Sequence, residues 1–220
     1  MLLTVGAAST DALSYLGLGR VFPANMTGNT VLLAIGTASG KYDESIRSAI
    51  ALGGFLAGAG CAGLAVGARA VDRWTRTIRL VLLVELAVQL SVLGWWLTLP
   101  DKPSGAPQLA LIGLLGTTMG AQSGVTARLP AGVSTTYITG TWTAVTTWVA
   151  GRLRPVPRTD PDQDVRLQAG VLACYLAAAF GAGYLYTWAG PVVAAIPAAA
   201  VLVVLAATAG QAPSCQAGTG

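Results

Sequence analysis

The sequence predicts an all-α polytopic membrane protein of six transmembrane segments, built as two inverted three-helix repeats with the first helix of each repeat discontinuous. Three observations lead there. Of 220 residues, 54% are hydrophobic and only 10% are charged, against roughly 25% charged in an average soluble domain. Four apolar stretches reach the length of about 20 residues that a helix needs to cross a bilayer. Two more are too long for one plain helix and carry breakers midway. A soluble chain needs charged surface to cover its core, whereas a bilayer is itself an apolar solvent.

Taken in order, the first long stretch is 2–39, interrupted at Thr27-Gly28. The uncharged stretch 48–68 follows, then 78–99 with Glu85 in its interior. The second long stretch, 108–151, is interrupted at Thr139-Gly140. Uncharged 167–187 and 188–209 complete the set, divided by a Trp188-Ala189-Gly190-Pro191 turn. These segments make one transmembrane domain, 1–209, with repeat 1 over about 1–100 and repeat 2 over about 106–209. The small, polar tail 210–220 is expected to be disordered. Met1 to Gly6 lacks the basic start of a signal peptide and Asp11 interrupts the apolar run, so this end is read as part of the first membrane segment.

Basic residues set the count and the orientation, because short cytoplasmic loops are enriched in Lys and Arg. If each broken stretch is one crossing, the loop with Arg69, Arg73, Arg76 and Arg79 and the loop with Arg152, Arg154, Arg158 and Arg166 share a side. The other side keeps Lys41, Arg47 and Lys102. If each is a hairpin, the two Arg-rich loops fall on opposite sides and the bias vanishes. Six crossings in a bacterial cytoplasmic membrane, with both termini cytoplasmic, is therefore the expectation. Trp95, Trp96 and Trp188 then cluster at the outer interface as an aromatic belt. The net charge of +4 is explained by orientation, and no nucleic-acid partner is expected.

Composition also narrows the chemistry. With no His and three scattered cysteines, Cys61, Cys174 and Cys215, the chain lacks an imidazole base, a disulfide framework and a Cys pair for metal. Neither cofactor nor metal is expected, and an enzyme would be poorly supplied with acid–base groups.

Setting Thr27-Gly28-Asn29-Thr30 against Thr139-Gly140-Thr141-Trp142 gives an offset of about 112 residues, and the following helices then align, Phe55-Leu56-Ala57 meeting Tyr175-Leu176-Ala177. Three crossings per half is an odd number, so the second copy is inserted upside down. Inverted repeats with discontinuous helices are a common plan of secondary transporters, with the binding site near the midplane where the breaks meet. Unwound backbone at that depth has to be buried in protein or line a watery cavity. The alternative is a Pro/Gly kink satisfied by neighbouring helices.

Asp11-Ala12, the run Phe22-Pro23-Ala24-Asn25-Met26-Thr27-Gly28-Asn29-Thr30, Gln122-Ser123, and Thr135-Thr136-Tyr137-Ile138-Thr139-Gly140-Thr141 resemble the YoaK-type family of bacterial membrane proteins. The resemblance covers nearly the whole chain and is most specific over 24–30. It implies a multi-helix membrane topology and carries no chemistry of its own.

Candidate site residues follow from polar groups at depth. Asp11 lies midway along its helix, where an unpartnered carboxylate costs about 2.5 kcal/mol or more. It is a candidate coupling group, or else a packing carboxylate alongside Ser9 and Thr10. The first break offers Asn25, Thr27, Gly28, Asn29 and Thr30; the second offers Thr135, Thr136, Thr139, Gly140 and Thr141. Two facing helix N-termini would favour an anionic or dipolar ligand, although ordinary N-capping uses the same residue types. Gln122 and Ser123 edge the helix before the second break, and Arg128 and Arg20 stand before the two breaks, positioned to pair with Asp11, hold an anion or snorkel. Glu85 shares a helix face with Gln89 and is the second coupling candidate.

Two motifs are set aside. Gly58-Ala59-Gly60-Cys61-Ala62-Gly63 matches a dinucleotide fingerprint only in letters, since no strand precedes it. Close helix contacts account for it, with Gly54/Gly58 and Gly63/Gly67 at GxxxG spacing. Asp160-Pro161-Asp162-Gln163-Asp164 lacks the Gly and closing Glu of a calcium loop. The functional expectation is a small secondary transporter whose partners are membrane lipid and a small-molecule or ion substrate, with self-association as a further expectation. A passive channel and a non-transporting scaffold are the alternatives.

Overall fold

The computed structural model describes residues 1–66, 76–100, 102–127 and 162–209, with the isolated positions 142 and 146. Among these residues the chain is helical, without strands. The helices are α1 (Leu2–Gly17), α2 (Met26–Ala38), α3 (Tyr42–Val66), α4 (Arg76–Leu97), α5 (Gly105–Thr126), α6 (Asp162–Ala189) and α7 (Ala195–Ala209), with a 3₁₀ turn, Gly190–Ala194, between the last two. Tyr42–Val66, Arg76–Leu97 and the 45-residue stretch Val165–Ala209 are long and apolar enough to cross a membrane.

The helix ends show why the chain turns where it does. At the end of α1, Gly19 has φ +89 and the Arg20 N–H reaches back to the Tyr15 carbonyl at 3.1 Å, a glycine-based helix stop. Arg20 follows at φ 63, a left-handed conformation that costs an L-residue about 1–2 kcal/mol. Asn25 caps α2 by accepting from the Gly28 N–H at 3.1 Å. Asp43 and Glu44 occupy the first turn of α3, where carboxylates complement the helix dipole. Gly190 and Pro191 close α6 and open the 3₁₀ turn, so the expected last segment 188–209 is divided into that turn and the 15-residue α7.

Contacts define the direction of each helix. Gly54, Gly58, Gly116, Gly120 and Gly124 bring α3 and α5 to backbone contact: a Cβ on Gly58 would lie 2.0 Å from the Thr117 carbonyl oxygen, and one on Gly120 2.1 Å from that of Phe55. The contacted positions rise together along both chains, so α3 and α5 are parallel. Of all helix pairs, these two share the most extensive interface. In contrast, α1 is antiparallel to α5, since Gln122 donates to the Leu3 carbonyl at 3.1 Å and Gln108 to that of Leu18 at 3.1 Å. Helices α1 and α6 are parallel, with Met1 beside Gly170 and Gly17 beside Tyr186. Arg79 at the start of α4 donates to the Thr208 carbonyl near the end of α7, making these two antiparallel.

Helices α2 and α3 form an antiparallel hairpin tied by Ser45, whose hydroxyl donates to the Leu33 carbonyl at 3.4 Å. Both α1 and α2 are therefore antiparallel to α3, and they run the same way. Between them the chain steps back: Ala24 lies beside Asp11, six residues before the end of α1. The first long stretch is thus two offset helices of one direction, but the expected interruption at Thr27-Gly28 is corrected: those residues form the first turn of α2 under the Asn25 cap, and the unwound segment is 18–25.

The interior is layered. Leu13, Leu18, Val92, Trp96, Leu111 and Ile112 pack at the end where α1 finishes, and Leu3, Ile78, Leu82, Val125 and Val201 pack at the other. Polar Asn29, Glu85, Gln89 and Gln122 are also buried, while Leu56 (70%), Leu64 (86%), Phe180 (77%) and Trp188 (79%) are exposed. An apolar outside and a partly polar inside suit a lipid solvent. One part of the expected aromatic belt is corrected here: Trp96 is fully buried because it packs against Gly17 and Tyr186. Trp95 and Trp188 remain exposed.

Candidate functional site

Asp11, on α1, meets the first break from the side. Its Oδ1 accepts from the Ala24 N–H at 2.7 Å and its Oδ2 from the Tyr175 hydroxyl at 2.7 Å. One carboxyl thereby joins α1, the unwound segment after it, and α6. In a medium without water an unmade hydrogen bond to backbone is costly, so Asp11 supplies what the broken helix lacks. Ala24 and Tyr175 were not among the candidates from sequence. No spacing rule links positions so far apart in the chain, although the repeat alignment does set Tyr175 opposite Phe55, a ring without the hydroxyl.

Asn29 closes the same loop. Its side chain accepts from the Phe22 N–H at 3.0 Å and donates to the Phe22 carbonyl at 2.7 Å. This reciprocal pair holds the step between α1 and α2, and Tyr15 stacks on Phe22 with ring centroids 5.2 Å apart. Thr30 returns its hydroxyl to the Met26 carbonyl at 2.9 Å. Asn25, Thr27 and Thr30 are exposed and Asn29 is buried. At the start of α2, then, Asn29 and Asn25 hold backbone, and Thr27 is an outward-facing hydroxyl.

Gln122 and Ser123 are buried near the end of α5, where Gln122 ties that helix to the start of α1. They lie at the Met1 end of the bundle, away from the first break. Arg20 is exposed, and the hydrogen bonds to the Asp11 carboxyl come from Ala24 and Tyr175 instead. Arg128, Thr135, Thr136, Thr139, Gly140 and Thr141 lie outside the described residues.

A second polar group lies on α4. Gln89 donates to Glu85 Oε1 at 2.9 Å, and both side chains are buried. The face-sharing predicted from their spacing is realised as this bond. Among the described residues, Glu85 Oε2, Gln89 Oε1 and Trp96 Nε1 have no hydrogen-bond partner. Gln89 and Trp96 border a small cavity of about 10 Å³ with Thr10, Leu13, Val92 and Leu115, the room of roughly one water molecule. Glu85 faces a separate groove of about 390 Å³ between α3, α4 and α5. The Glu85–Gln89 pair therefore stands between an internal cavity and an open groove. No group of three or more acidic, Cys or His residues is placed to hold a metal among the described residues.

The glycine motif divides in the same way. Gly54 and Gly58 make the close contacts expected of GxxxG spacing, but a Cβ on Gly60 or Gly63 would meet nothing within 4 Å. Among the described residues the expected close contact is therefore not made by those two. Gly67 is outside the described residues.

Comparison with known proteins agrees with this architecture. The family described as "Protein of unknown function (DUF1275)" matches residues 1–208. The UPF0700 transmembrane protein YoaK of Bacillus subtilis (strain 168) is 34% identical over 153 residues, which span 69% of this chain and 66% of that protein. No solved structure matches the chain.

Proposed function

We propose a transport function for this chain, which belongs to the DUF1275 family of transmembrane proteins: a small secondary transporter with its site at mid-height, beside the first helix break. The observation that carries the proposal is the Asp11 clamp, a buried carboxyl joining a helix break to α6. Broken helices at bilayer depth mark binding sites when they line a cavity between repeats.

Six crossings in two inverted repeats account for the helix directions. Exchanging the halves maps the parallel pair α1/α6 onto the parallel pair α5/α3, and α1/α7 onto α5/α4; all four pairs are in contact. The antiparallel pair α4/α7 maps onto itself. Met1, Arg79 and Thr208 share one end of the bundle, and Arg47 lies at the other beside Gly19, which supports the Arg79 end as cytoplasmic.

In this mechanism one helix bundle rocks against the other and parts the Tyr175 hydroxyl from Asp11, exposing a carboxyl and the Ala24 N–H to a ligand. A dipolar ligand suits this pair of groups better than an anion, because the Ala24 amide already has a carboxylate partner. Asp11 is the first coupling candidate and Glu85 the second; Arg128 and the hydroxyls Thr136, Thr139 and Thr141 around Gly140 would face the site from the second break.

A scaffold reading draws support from Asn29 and Asn25, whose bonds to backbone would be needed in any role. Flux separates the two. Proteoliposomes holding the whole chain are screened with small zwitterions and anions. Saturable uptake lost in Asp11→Asn and reduced in Thr27→Ala supports transport, whereas flux unchanged in both variants excludes this site. Currents far above carrier rates would indicate a passive channel.

A further inference from the structure

We propose that the groove between α3, α4 and α5 binds a lipophilic ammonium, a single protonated amine on an apolar body, that enters from the lipid and pairs with Glu85. The groove holds about 390 Å³, within the range of roughly 300–1,000 Å³ typical of small-molecule sites. Its walls are apolar or small: Cys61 and Ala65 from α3, Leu80, Val84 and Val88 from α4, Ala121 from α5. Leu80 and Val84 are more than half exposed, so the groove opens on the surface that suits lipid.

Glu85 breaks this pattern. It is 1% exposed, it lines the groove, and its Oε2 has no hydrogen-bond partner among the described residues. Gln89 takes only the other oxygen. An acceptor left in an apolar wall is costly, and a lipid acyl chain in the groove cannot relieve it. A neutral alcohol could donate one hydrogen bond, but an ammonium adds charge complementarity in surroundings where water does not screen it. Thr117 and Thr118 on the groove already give their hydroxyls to the Gly113 and Leu115 carbonyls at 2.8 and 2.9 Å, and Thr77 is uncharged, which leaves Glu85 as the group that recognises charge. This proposal does not depend on transport.

The test uses the whole chain in phosphatidylcholine vesicles and dicyclohexylcarbodiimide, a membrane-soluble carboxyl reagent, with modification at Glu85 read by peptide mass spectrometry. Dimethyldecylammonium, decanol and decyl phosphate are compared as protectants. Dimethyldecylammonium is expected to slow Glu85 modification by about tenfold, and the other two to have little effect. Equal protection by decanol or decyl phosphate would show an unselective acyl-chain slot and overturn the proposal, as would failure of the reagent to reach Glu85. Glu85→Gln is then examined by equilibrium dialysis of the ammonium: a monodisperse variant that binds as well as the wild type also overturns it. The protectant series needs no variant, so the test survives if Glu85→Gln does not fold.

Discussion

Helix pairs α3/α5 and α1/α6 are both parallel, yet they are held by opposite means. The α3/α5 seam is made of glycines set against carbonyl oxygens, so the backbones touch and dispersion acts over a long contact. The α1/α6 seam places side chains between the helices: Leu16 near Gly183, Tyr186 beside Gly17, and the Asp11–Tyr175 hydrogen bond at its centre. A glycine seam has one good geometry and loses contact quickly when displaced. A seam joined by one polar bond has a discrete bond to break. If the protein works by moving one helix bundle against the other, the moving joint is at α1/α6, while α3 and α5, which come from different repeats, travel as a unit within one bundle.

The largest expected effect tests the glycine seam. Gly58→Ala and Gly120→Ala place a methyl group about 2 Å from a carbonyl oxygen of the facing helix, and relieving that requires the helices to part. Each is expected to lose about 3 kcal/mol, read as a collapse of the monodisperse peak or of thermal stability in detergent. Wild-type behaviour of both would mean that the seam is looser than described.

Asp11→Ala comes next. It strands the Ala24 N–H and the Tyr175 hydroxyl together, at an expected cost of about 2 kcal/mol, measured by unfolding in mixed micelles. A loss as large as that at Gly58 would make α1/α6 the rigid seam and reverse the comparison. Tyr175→Phe removes only one donor and is expected to cost about 1 kcal/mol while changing flux more than stability. Equal effects on both would place Tyr175 in packing alone.

The smallest effect is the control. Gly60→Ala and Gly63→Ala add a methyl that meets nothing within 4 Å, so they should be neutral or stabilise α3 by up to about 1 kcal/mol. A large loss in either would reveal a partner on that face, such as a second copy of the chain.

Much of the fold was legible because membrane chemistry simplifies the code. Low charge, long apolar runs and the placement of Arg residues identify a helical membrane protein, whereas the break, expected at Thr27-Gly28, lies just before it at 18–25 because Asn25 caps a helix that already contains both residues. The break between α1 and α2 and the sharing of a face by Glu85 and Gln89 both follow from local rules. Helix ends were harder: α3 begins at Tyr42, ahead of the apolar stretch, because its first turn is acidic and serves the dipole.

The candidate site was legible only in part. Asp11 was recognisable as costly at its depth, but whether it carried a ligand or a loop depended on what lay opposite. Asn29 and Thr27 were indistinguishable in sequence as polar members of one break; in the structure Asn29 holds the Phe22 backbone and Thr27 faces outward. Trp96 read as an interfacial residue beside Trp95, yet neighbouring helix positions point about 100° apart and only one of the two could face lipid.

By itself the sequence determined the solvent of this protein, its helical class and that its first long stretch is interrupted, because each depends on hydropathy and backbone preference within a short window. Tertiary structure alone decided which glycines are contacts and which are bare, which oxygen of Glu85 is left without a partner, and that Tyr175 answers Asp11 from 164 residues away. Those depend on which helix faces which, and in a chain where every helix is apolar, one-dimensional patterning carries little of that choice.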